Sequence, residues 1–500
     1  MKVSNSHSFA KAGIYLFLFL CAVMYILLFS KTLSPLYSIE ESDSSVFKLM
    51  GQAMLHGKMP YVDIFDHKGP MLYLIEAFGQ WLIPGRTGLF LLAIIALYLS
   101  ILCWYKSARL FTSAIKSIVV VVILTLLTYY FYSAYSSGNL TEDWNILFVS
   151  VSYNLLLSLL IREEAKSYLI HGGIIGICFA CVFFIRPNDA VAFIGAPILG
   201  ELVWMLKNMR DGRCIRWIEG LAIGFITVSL VFIIWFASHK ALNDLWYGLI
   251  GFNAKYTSGI IALLEGGLKI TKLAYVPFLA CLLILAWQSS NRRILYMLIP
   301  TIIFAYVLLG NNGYLHYWII WIPVLFFTYW LLAFTQENKA FTILSFCIFL
   351  TLPIFNARNW LKTPITMVNE IKRDIHTCDS AILSTKALFE NMVDEDRDSI
   401  WSYNLTWGDN EPNTFNVLLY NNIIPCNRVP LIFMADIDTT LRAYTDITKY
   451  APKYVLFSSQ NYYPWSYETK DSIFLNENYS MVGICHHPQL VLFKRNSDTK

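Results

Sequence analysis

Long apolar runs recur along the first 355 residues of this chain and restrict its possible folds more than any other feature. A helix that crosses the hydrocarbon core of a bilayer needs about 20 apolar residues. Stretches of that kind occur about eleven times, at 12–30, 87–105, 117–135, 145–161, 169–185, 190–206, 217–237, 271–288, 294–310, 317–334 and 340–355. We therefore predict an all-α polytopic membrane bundle for residues 1–355.

The composition supports the same class of protein. Only 14% of the residues are charged and 56% are hydrophobic, whereas a soluble domain has about 25% charged residues. The sequence contains no Walker-type glycine loop, no zinc-spaced cysteine and histidine cluster and no nucleophile elbow. We therefore expect neither a soluble nucleotide site nor a nucleic-acid partner.

The positions of Lys and Arg predict the orientation of the spans, because cytoplasmic connections carry an excess of positive charge. Every second connection is basic, which places the N-terminus in the cytoplasm of a cell whose inner or plasma membrane holds the chain. The basic residues are Lys2, Lys11, Lys106, Arg109, Lys116, Arg162, Lys166, Lys207, Arg210, Arg213, Arg216, Arg292, Arg293 and Lys339. The first long loop, 31–86, and the C-terminal part then lie on the extracytoplasmic side. The first apolar run exceeds the ~7–15 residues of a signal-peptide core, so we expect it to be a retained span.

From about residue 356 charges and asparagines become frequent and short β-like runs appear. We predict strands at Ser399–Tyr403 and Tyr454–Ser458, and a hairpin over MVGICHHPQLVLFKR with its turn near His487–Gln489. Residues 356–500 are therefore predicted to form a small extracytoplasmic α/β domain.

The first loop is unusually rich in ionisable residues between Glu40 and Pro70. Apolar residues at helical spacing after Asp43 predict a short amphipathic helix that ends at Gly57. Asp43 or Ser44 is its predicted N-cap, and the alternative role of Asp43 is that of a general base at the lipid–water boundary.

The turn His67-Lys68-Gly69-Pro70 predicts a second helix, because proline suits the first helical position. His67 and Lys68 would then place two cationic groups at a helix N-terminus, against the helix dipole. A bound phosphate would resolve that conflict. The alternative is a lysine that reaches towards the lipid headgroups.

Further candidates come from later extracytoplasmic connections. Glu142 and Asp143 open the fourth span, either as helix caps or as a second acid and ligands for a divalent cation, together with Asp43. Arg186 ends the fifth span and either anchors in headgroups or binds phosphate. Lys255 with its neighbour Tyr256, and His316, are weaker candidates for substrate binding, since anchoring or loop packing also accounts for them.

These residues resemble the GT-C glycosyltransferases, in particular the aminoarabinose transferases and the protein mannosyltransferases of glycosyltransferase family 39. The resemblance rests on D-S-x-x-F, G-x-x-P-Y-x-D and H-K-G-P between Asp43 and Pro70, with Glu142-Asp143 and Arg186-Pro187-Asn188 downstream. It implies transfer of a sugar from a polyprenyl-phosphate carrier to a hydroxyl of a lipid, glycan or protein on the extracytoplasmic face, with inversion at the anomeric carbon.

The resemblance also implies individual roles. Asp43 is similar to the family's first-loop acid, which acts as the general base or orients the acceptor. Glu142 or Asp143 resembles the second acidic position, and Lys68 matches the lysine that contacts the carrier phosphate. Two departures are that Gly69 replaces the first proline of the family's turn and that His67 precedes the lysine.

Two other functions use similar membrane architecture. A flippase or transporter of lipid-linked saccharides is expected to carry ionisable residues near mid-span and paired broken helices, but the predicted spans are nearly free of charge at their centres. A polysaccharide polymerase is expected to carry its chemistry in a large loop between late spans, whereas here the first loop is richest in charge.

Overall fold

The computed structural model describes most of the N-terminal half of the chain and selected segments of the C-terminal half. The described residues are 2–37, 42–135, 138–161, 168–209, 211–256, 293–309, 319–320, 324, 369, 384–390, 392, 399–403, 414–430, 432–458, 470–486 and 489–496. The chain forms two compact units, one from residues 1–30, 90–240 and 257–366 and the other from 31–89, 241–256 and 367–500.

The first unit consists of apolar helices in its described part. They are α1 (Lys2–Phe29), α4 (Thr87–Arg109), α5 (Ala114–Tyr135), α6 (Thr141–Ile161), α7 (Tyr168–Phe183), α8 (Pro187–Ala190), α9 (Ala196–Asn208), α10 (Arg213–Ser238) and α13 (Arg293–Leu309). A π-helical segment, Val191–Gly195, joins α8 to α9 without a break. Five helical stretches within the described residues are long and apolar enough to cross a membrane: Lys11–Phe29, Thr87–Arg109, Thr141–Leu160, Pro187–Asn208 and Arg213–Ser238.

Eight of the predicted spans coincide with helices of the first unit, so the polytopic, helical character of the chain is confirmed. The predicted spans 271–288 and 340–355 lie outside the described residues, as does most of 317–334. The count of eleven therefore stays a prediction.

Glycines allow α7 and α10 to approach each other closely. A Cβ atom at Gly176 would lie 2.2 Å from the carbonyl oxygen of Leu221, and one at Gly224 would lie 2.0 Å from that of Gly173. Small residues at such positions let helix backbones come into contact within a bilayer. This helix pair is therefore specified by glycine spacing.

A buried ion pair joins α9 to α13. The Arg293 Nε atom lies 2.9 Å from each carboxylate oxygen of Glu201, and the side chains are 3% and 1% exposed. Arg293 also donates to the Leu159 carbonyl oxygen at 3.2 Å and stacks over the Trp204 ring at 4.1 Å. Arg293, which the sequence places among the basic residues of a connection, is thus packed at the start of α13.

The second unit contains the first loop, which forms α2 (Ser42–Leu55) and α3 (Pro70–Leu82). Gly57 has a φ of +79° directly after α2, and the Lys58 and Gly57 amides donate to the Ala53 and Met54 carbonyl oxygens. These two bonds form a Schellman motif, which confirms the predicted helix stop at Gly57. The two helices cross so closely that a Cβ atom at Gly51 would lie 2.6 Å from the Glu76 Cβ atom.

The same unit contains α11 (Leu242–Trp246), a π-helical segment (Tyr247–Gly251) and α12 (Phe252–Tyr256). In the sequence this stretch belongs to the long connection 238–270 between two predicted spans. The four-residue spacing of the aromatic residues Phe252 and Tyr256 was the available signal for a helix.

A four-stranded sheet lies in the C-terminal part of the second unit, in the order β1-β2-β4-β3. Its strands are β1 (Ile400–Tyr403), β2 (Tyr454–Ser458), β3 (Tyr479–His486) and β4 (Gln489–Arg495). The pair β1–β2 is parallel, whereas β2–β4 and β3–β4 are antiparallel. All the predicted strands are confirmed; residues 487–488 of the hairpin turn and the proposed domain boundary near 356 lie outside the described residues.

Candidate active site

The turn Asp66-His67-Lys68 lies immediately before α3, where the sequence predicts an anion site. Gly69 is the N-cap of α3 in an extended conformation and Pro70 is its first residue, as predicted. Proline has no amide hydrogen to leave unsatisfied and its fixed φ suits a helix start. The three polar side chains are therefore held at the beginning of a helix.

The three side chains of this turn form a chain of contacts. The His67 Nδ1 atom lies 3.2 Å from the Asp66 Oδ1 atom, and the His67 Nε2 atom lies 2.7 Å from the Lys68 Nζ atom. An ammonium group can only donate. The Nε2 atom must therefore be the acceptor, which assigns the imidazole proton to Nδ1, facing the carboxylate.

Two buried tyrosines fix the backbone of Lys68. The Tyr61 hydroxyl donates to the Lys68 carbonyl oxygen at 2.5 Å, and the Lys68 amide donates to the Tyr73 hydroxyl at 3.1 Å. Tyr73 in turn donates to Asp66 Oδ2 at 2.9 Å. Tyr61 has a φ of 68°, an uncommon conformation for a bulky residue. Strain of this kind persists where surrounding contacts hold it, and it is frequent at functional sites.

The same contacts shift the pKa values of this turn. Burial alone would raise the pKa of Asp66, but the hydrogen bond and charge of His67 and the charge of Lys68 hold that pKa below its usual range. Burial, followed by the charge of Lys68, lowers the pKa of His67, against the opposing effects of Asp66 and Asp43. Asp66 is therefore an anion and His67 is neutral at neutral pH.

Among the described residues the Lys68 ammonium makes no direct ion pair, since no carboxylate oxygen there lies within 4.0 Å of it. Its contacts are the His67 ring nitrogen and the face of the Phe47 ring, 5.9 Å from the ring centroid. The side chain is half-buried. A partly desolvated ammonium of this kind is suited to an anionic ligand.

Asp43 is the second residue of α2 and is half-buried. The helix begins at Ser42, one residue before the predicted cap, which lies within the usual uncertainty of helix ends. The charge of Asp43 acts on His67, so the second unit brings the predicted first-loop acid and the predicted phosphate-binding turn into one electrostatic environment.

The helical segment 242–256 packs against this turn. The Asn253 side chain donates to the His67 carbonyl oxygen at 2.8 Å. The rings of Phe252 and Tyr256 lie 5.6 Å and 5.4 Å from the His67 ring. Asn253 and Phe252 were not among the residues singled out from the sequence, because their connection was not expected to be helical. Tyr256 was named there only beside Lys255, as a weaker candidate.

Lys255 points to a different partner. Its half-exposed ammonium is paired with the buried Asp438 carboxylate, which also accepts a bond from the Tyr247 hydroxyl at 2.5 Å. The other Asp438 oxygen accepts from the Thr440 amide at 3.0 Å. The phosphate-binding role of Lys255 stays a prediction, whereas its packing role is visible in these contacts.

A second polar cluster lies in the first unit at the start of α6. The Arg186 guanidinium is paired with the buried Glu142 carboxylate and lies 3.7 Å from Asp189. The Asn145 side chain donates to Asp189 at 2.8 Å, and the Thr141 hydroxyl donates to Glu142 at 2.9 Å. Arg186 and Thr141 are thus both partners of the Glu142 side chain, and the phosphate-binding role of Arg186 stays a prediction.

Asp143 differs from its neighbour Glu142. Its carboxylate accepts a bond from the Leu140 amide at 2.8 Å, so it caps the N-terminus of α6. His316 lies outside the described residues.

Among the residues that the structure describes, no group of three or more histidine, cysteine, aspartate or glutamate side chains could hold a metal ion. The role of Asp43, Glu142 and Asp143 as ligands of a divalent cation stays a prediction.

The apolar helices, the α2–α3 loop and the sheet-containing unit define a polytopic membrane protein with an ArnT-like fold. Two crystal structures of ArnT from Cupriavidus metallidurans share this fold. The structure bound to undecaprenyl phosphate matches with a TM-score of 0.59 and 12% identity, over 97% of this chain and 98% of that one. The apo structure matches with a TM-score of 0.54 and 15% identity, over 98% of each chain.

No family model matches the sequence, and no curated protein matches it. The likeness therefore concerns the fold, and at that level it confirms the resemblance to GT-C enzymes drawn from the first loop.

Proposed function

We propose that this chain is an integral membrane glycosyltransferase that takes a sugar from a polyprenyl-phosphate carrier and transfers it to an acceptor hydroxyl on the extracytoplasmic face. The observation that carries the proposal is the Lys68 ammonium, rigidly held and without a carboxylate partner among the described residues.

An anion at this position would satisfy two features of the turn. It would neutralise the Lys68 ammonium, and it would lie near the positive end of α3. A phosphate is an anion of suitable charge and geometry. ArnT, which shares this fold, has been crystallised with undecaprenyl phosphate, and this supports a lipid-linked phosphate as the ligand.

The proposed reaction is a displacement at the anomeric carbon. The acceptor oxygen forms a bond to that carbon as the bond from carbon to the carrier phosphate oxygen breaks. Asp43 takes the hydroxyl proton, and the electron pair leaves with polyprenyl phosphate, whose growing charge Lys68 stabilises. Attack opposite the leaving group inverts the anomeric configuration.

We assign the second acidic position to Glu142 and a structural capping role to Asp143. This assignment is supported by the Arg186 partner of Glu142 and by the bond from the Leu140 amide to Asp143. In this proposal Arg186 fixes the Glu142 carboxylate.

Binding of undecaprenyl phosphate by the purified protein tests the phosphate assignment. We expect Lys68→Ala to weaken binding at least about tenfold, equivalent to ~1.4 kcal/mol. Lys58→Ala is the matched control, because Lys58 is an exposed lysine of the same loop. Absence of binding by the unmodified protein, or equal binding by both variants, would overturn the proposal.

Transfer is tested separately by mass spectrometry of envelope glycans from cells with the intact gene, without it, or with Asp43→Asn. Asparagine keeps the size of the side chain but cannot accept the proton, so a loss of about 10²–10⁴-fold in transfer is expected while carrier binding is retained. Asp63→Asn is the control, since Asp63 is bonded to the Met59 amide within the same loop. Normal transfer by Asp43→Asn would exclude Asp43 as the base.

A further inference from the structure

His67 contacts a charged side chain with each of its ring nitrogens. Nδ1 faces the Asp66 carboxylate at 3.2 Å, and Nε2 faces the Lys68 ammonium at 2.7 Å. This arrangement is specific to the chemistry of imidazole, which offers one donor and one acceptor when it is neutral.

We propose that His67 is a positioning residue that holds the Lys68 ammonium for the carrier phosphate, and that protonation of His67 releases Lys68 and weakens carrier binding. The inference rests on the proposed function, because it assumes that Lys68 binds phosphate.

Protonation reverses the contact between His67 and Lys68. In the imidazolium both nitrogens are donors, so Nε2–H would face an ammonium that also only donates. Two positive groups at this distance repel each other, particularly where solvent is partly excluded. The attraction between the His67 ring and the Asp66 carboxylate, 3.2 Å apart, would strengthen, so the imidazole would stay in place while Lys68 turned away.

The other groups that face His67 determine the pH at which its ring is protonated. The charged ones are Asp66, Lys68 and Asp43, the rings are those of Phe252 and Tyr256, and the Asn253 amide holds the His67 carbonyl oxygen. Burial and the positive charge of Lys68 favour the neutral ring, and the two carboxylates favour the protonated one. The first two effects prevail, so the pKa of His67 is lowered and release falls on the acid side of neutrality.

Two substitutions separate positioning from packing. In His67→Gln the side-chain oxygen can reach the place of Nε2 and accept from Lys68, whereas in His67→Asn the amide can reach only the place of Nδ1 and donate to Asp66. Neither residue titrates. A packing role for the ring against Phe252 and Tyr256 would be lost in both variants.

The experiment measures binding of undecaprenyl phosphate between pH 7.5 and pH 5 for the unmodified protein and both variants. A phosphate monoester itself gains a proton near pH 6, so the readout is the ratio of the affinity of the unmodified protein to that of His67→Gln. We expect this ratio to be close to one at pH 7.5 and to fall at least threefold by pH 5. We expect His67→Asn to bind at least tenfold more weakly than His67→Gln at pH 7.5.

A ratio that stays constant with pH, or equal binding by the two variants, would overturn the inference and leave the proposed function standing. Absence of binding by the unmodified protein would overturn both. Nitrogen-15 NMR of histidine in the unmodified protein, reconstituted in liposomes, gives a readout that needs no ligand. The His67 signal, recognised by its loss in either variant, is expected to report the Nδ1–H tautomer; an Nε2–H tautomer would overturn the inference.

Discussion

The Glu142 carboxylate and the Arg186 guanidinium form an ion pair in which the side chains are 2% and 15% exposed. Asp143, the next residue, instead bonds to the Leu140 amide and caps α6. Two adjacent acids that are equivalent in sequence terms therefore have different partners and different physical roles.

Alanine substitutions at Glu142 and Asp143 are expected to differ in their effect on stability. Removal of one partner of a buried ion pair costs about 3–5 kcal/mol. The lower end is expected for Glu142→Ala, because Arg186 keeps partial solvent contact and the more distant Asp189 carboxylate, at 3.7 Å. Loss of the cap in Asp143→Ala costs only about 1 kcal/mol. Thermal unfolding in detergent would show the difference. An equal or larger effect of Asp143→Ala would contradict the assignment of roles.

Glu201 and Arg293 give a second stability prediction, in the helix bundle. Either Glu201→Gln or Arg293→Gln should destabilise the protein by about 3–5 kcal/mol, since the remaining charge is buried. The double variant should lose clearly less than the sum of the two, because neither charge is then left alone. Glu219→Gln, at an exposed position of α10, serves as the control and should have little effect. Additive losses would show that the two residues are not coupled.

Three glycines, two in the first loop and one in α1, are expected to differ in how much substitution by alanine destabilises the protein. Gly57→Ala has open space for its methyl group but requires a left-handed backbone, at a cost of about 1 kcal/mol. Gly51→Ala would place a methyl group 2.7 Å from the Ala77 backbone nitrogen, so α2 and α3 must separate, at about 1–3 kcal/mol. Gly13→Ala in α1 has neither constraint and should be neutral or stabilising. Thermal unfolding of the three variants checks this order, and a neutral Gly51→Ala would refute the close crossing.

The Asp438 carboxylate predicts a dependence of stability on pH. Burial would raise its pKa, but bonds from Lys255, Tyr247 and Thr440 together hold the pKa below its usual range. A carboxyl with a lowered pKa stabilises the fold fully above its ordinary pKa of about 3.9, and this stabilisation is lost as the pH falls towards the lowered value.

Unfolding of the unmodified protein and of Asp438→Asn should therefore be compared from pH 6 to pH 3. The unmodified protein should be the more stable at pH 6, and the difference should shrink as the pH falls, because the unfolded state gains the proton first. Lys255→Ala should reproduce only a small part of the effect, below about 1 kcal/mol, since its ammonium is half exposed. If the stability difference between the unmodified protein and Asp438→Asn grew as the pH fell, the prediction would be contradicted.

Much of the local structure follows from short-range rules. The end of α2 at Gly57, the start of α3 at Pro70 and the strands of the sheet lie where the sequence predicts them, because left-handed glycine, N-terminal proline and β-branched alternation act over a few residues. The helical segment 242–256 was missed because its stability depends on packing against the first loop. It also depends on two glycines of the π-helical segment, Gly248 and Gly251.

The sequence by itself determined that the chain is a helical membrane protein with a polar first loop, because hydropathy and helix-end chemistry are local properties. Only the tertiary structure decided the partners of the charges. Glu142 is paired with Arg186, Lys255 with Asp438 and Arg293 with Glu201. Among the described residues, the polar side chain that contacts the Lys68 ammonium is that of His67. The partner that compensates a buried charge comes from a distant part of the chain. Sequence spacing therefore cannot reveal which cation lacks a carboxylate partner.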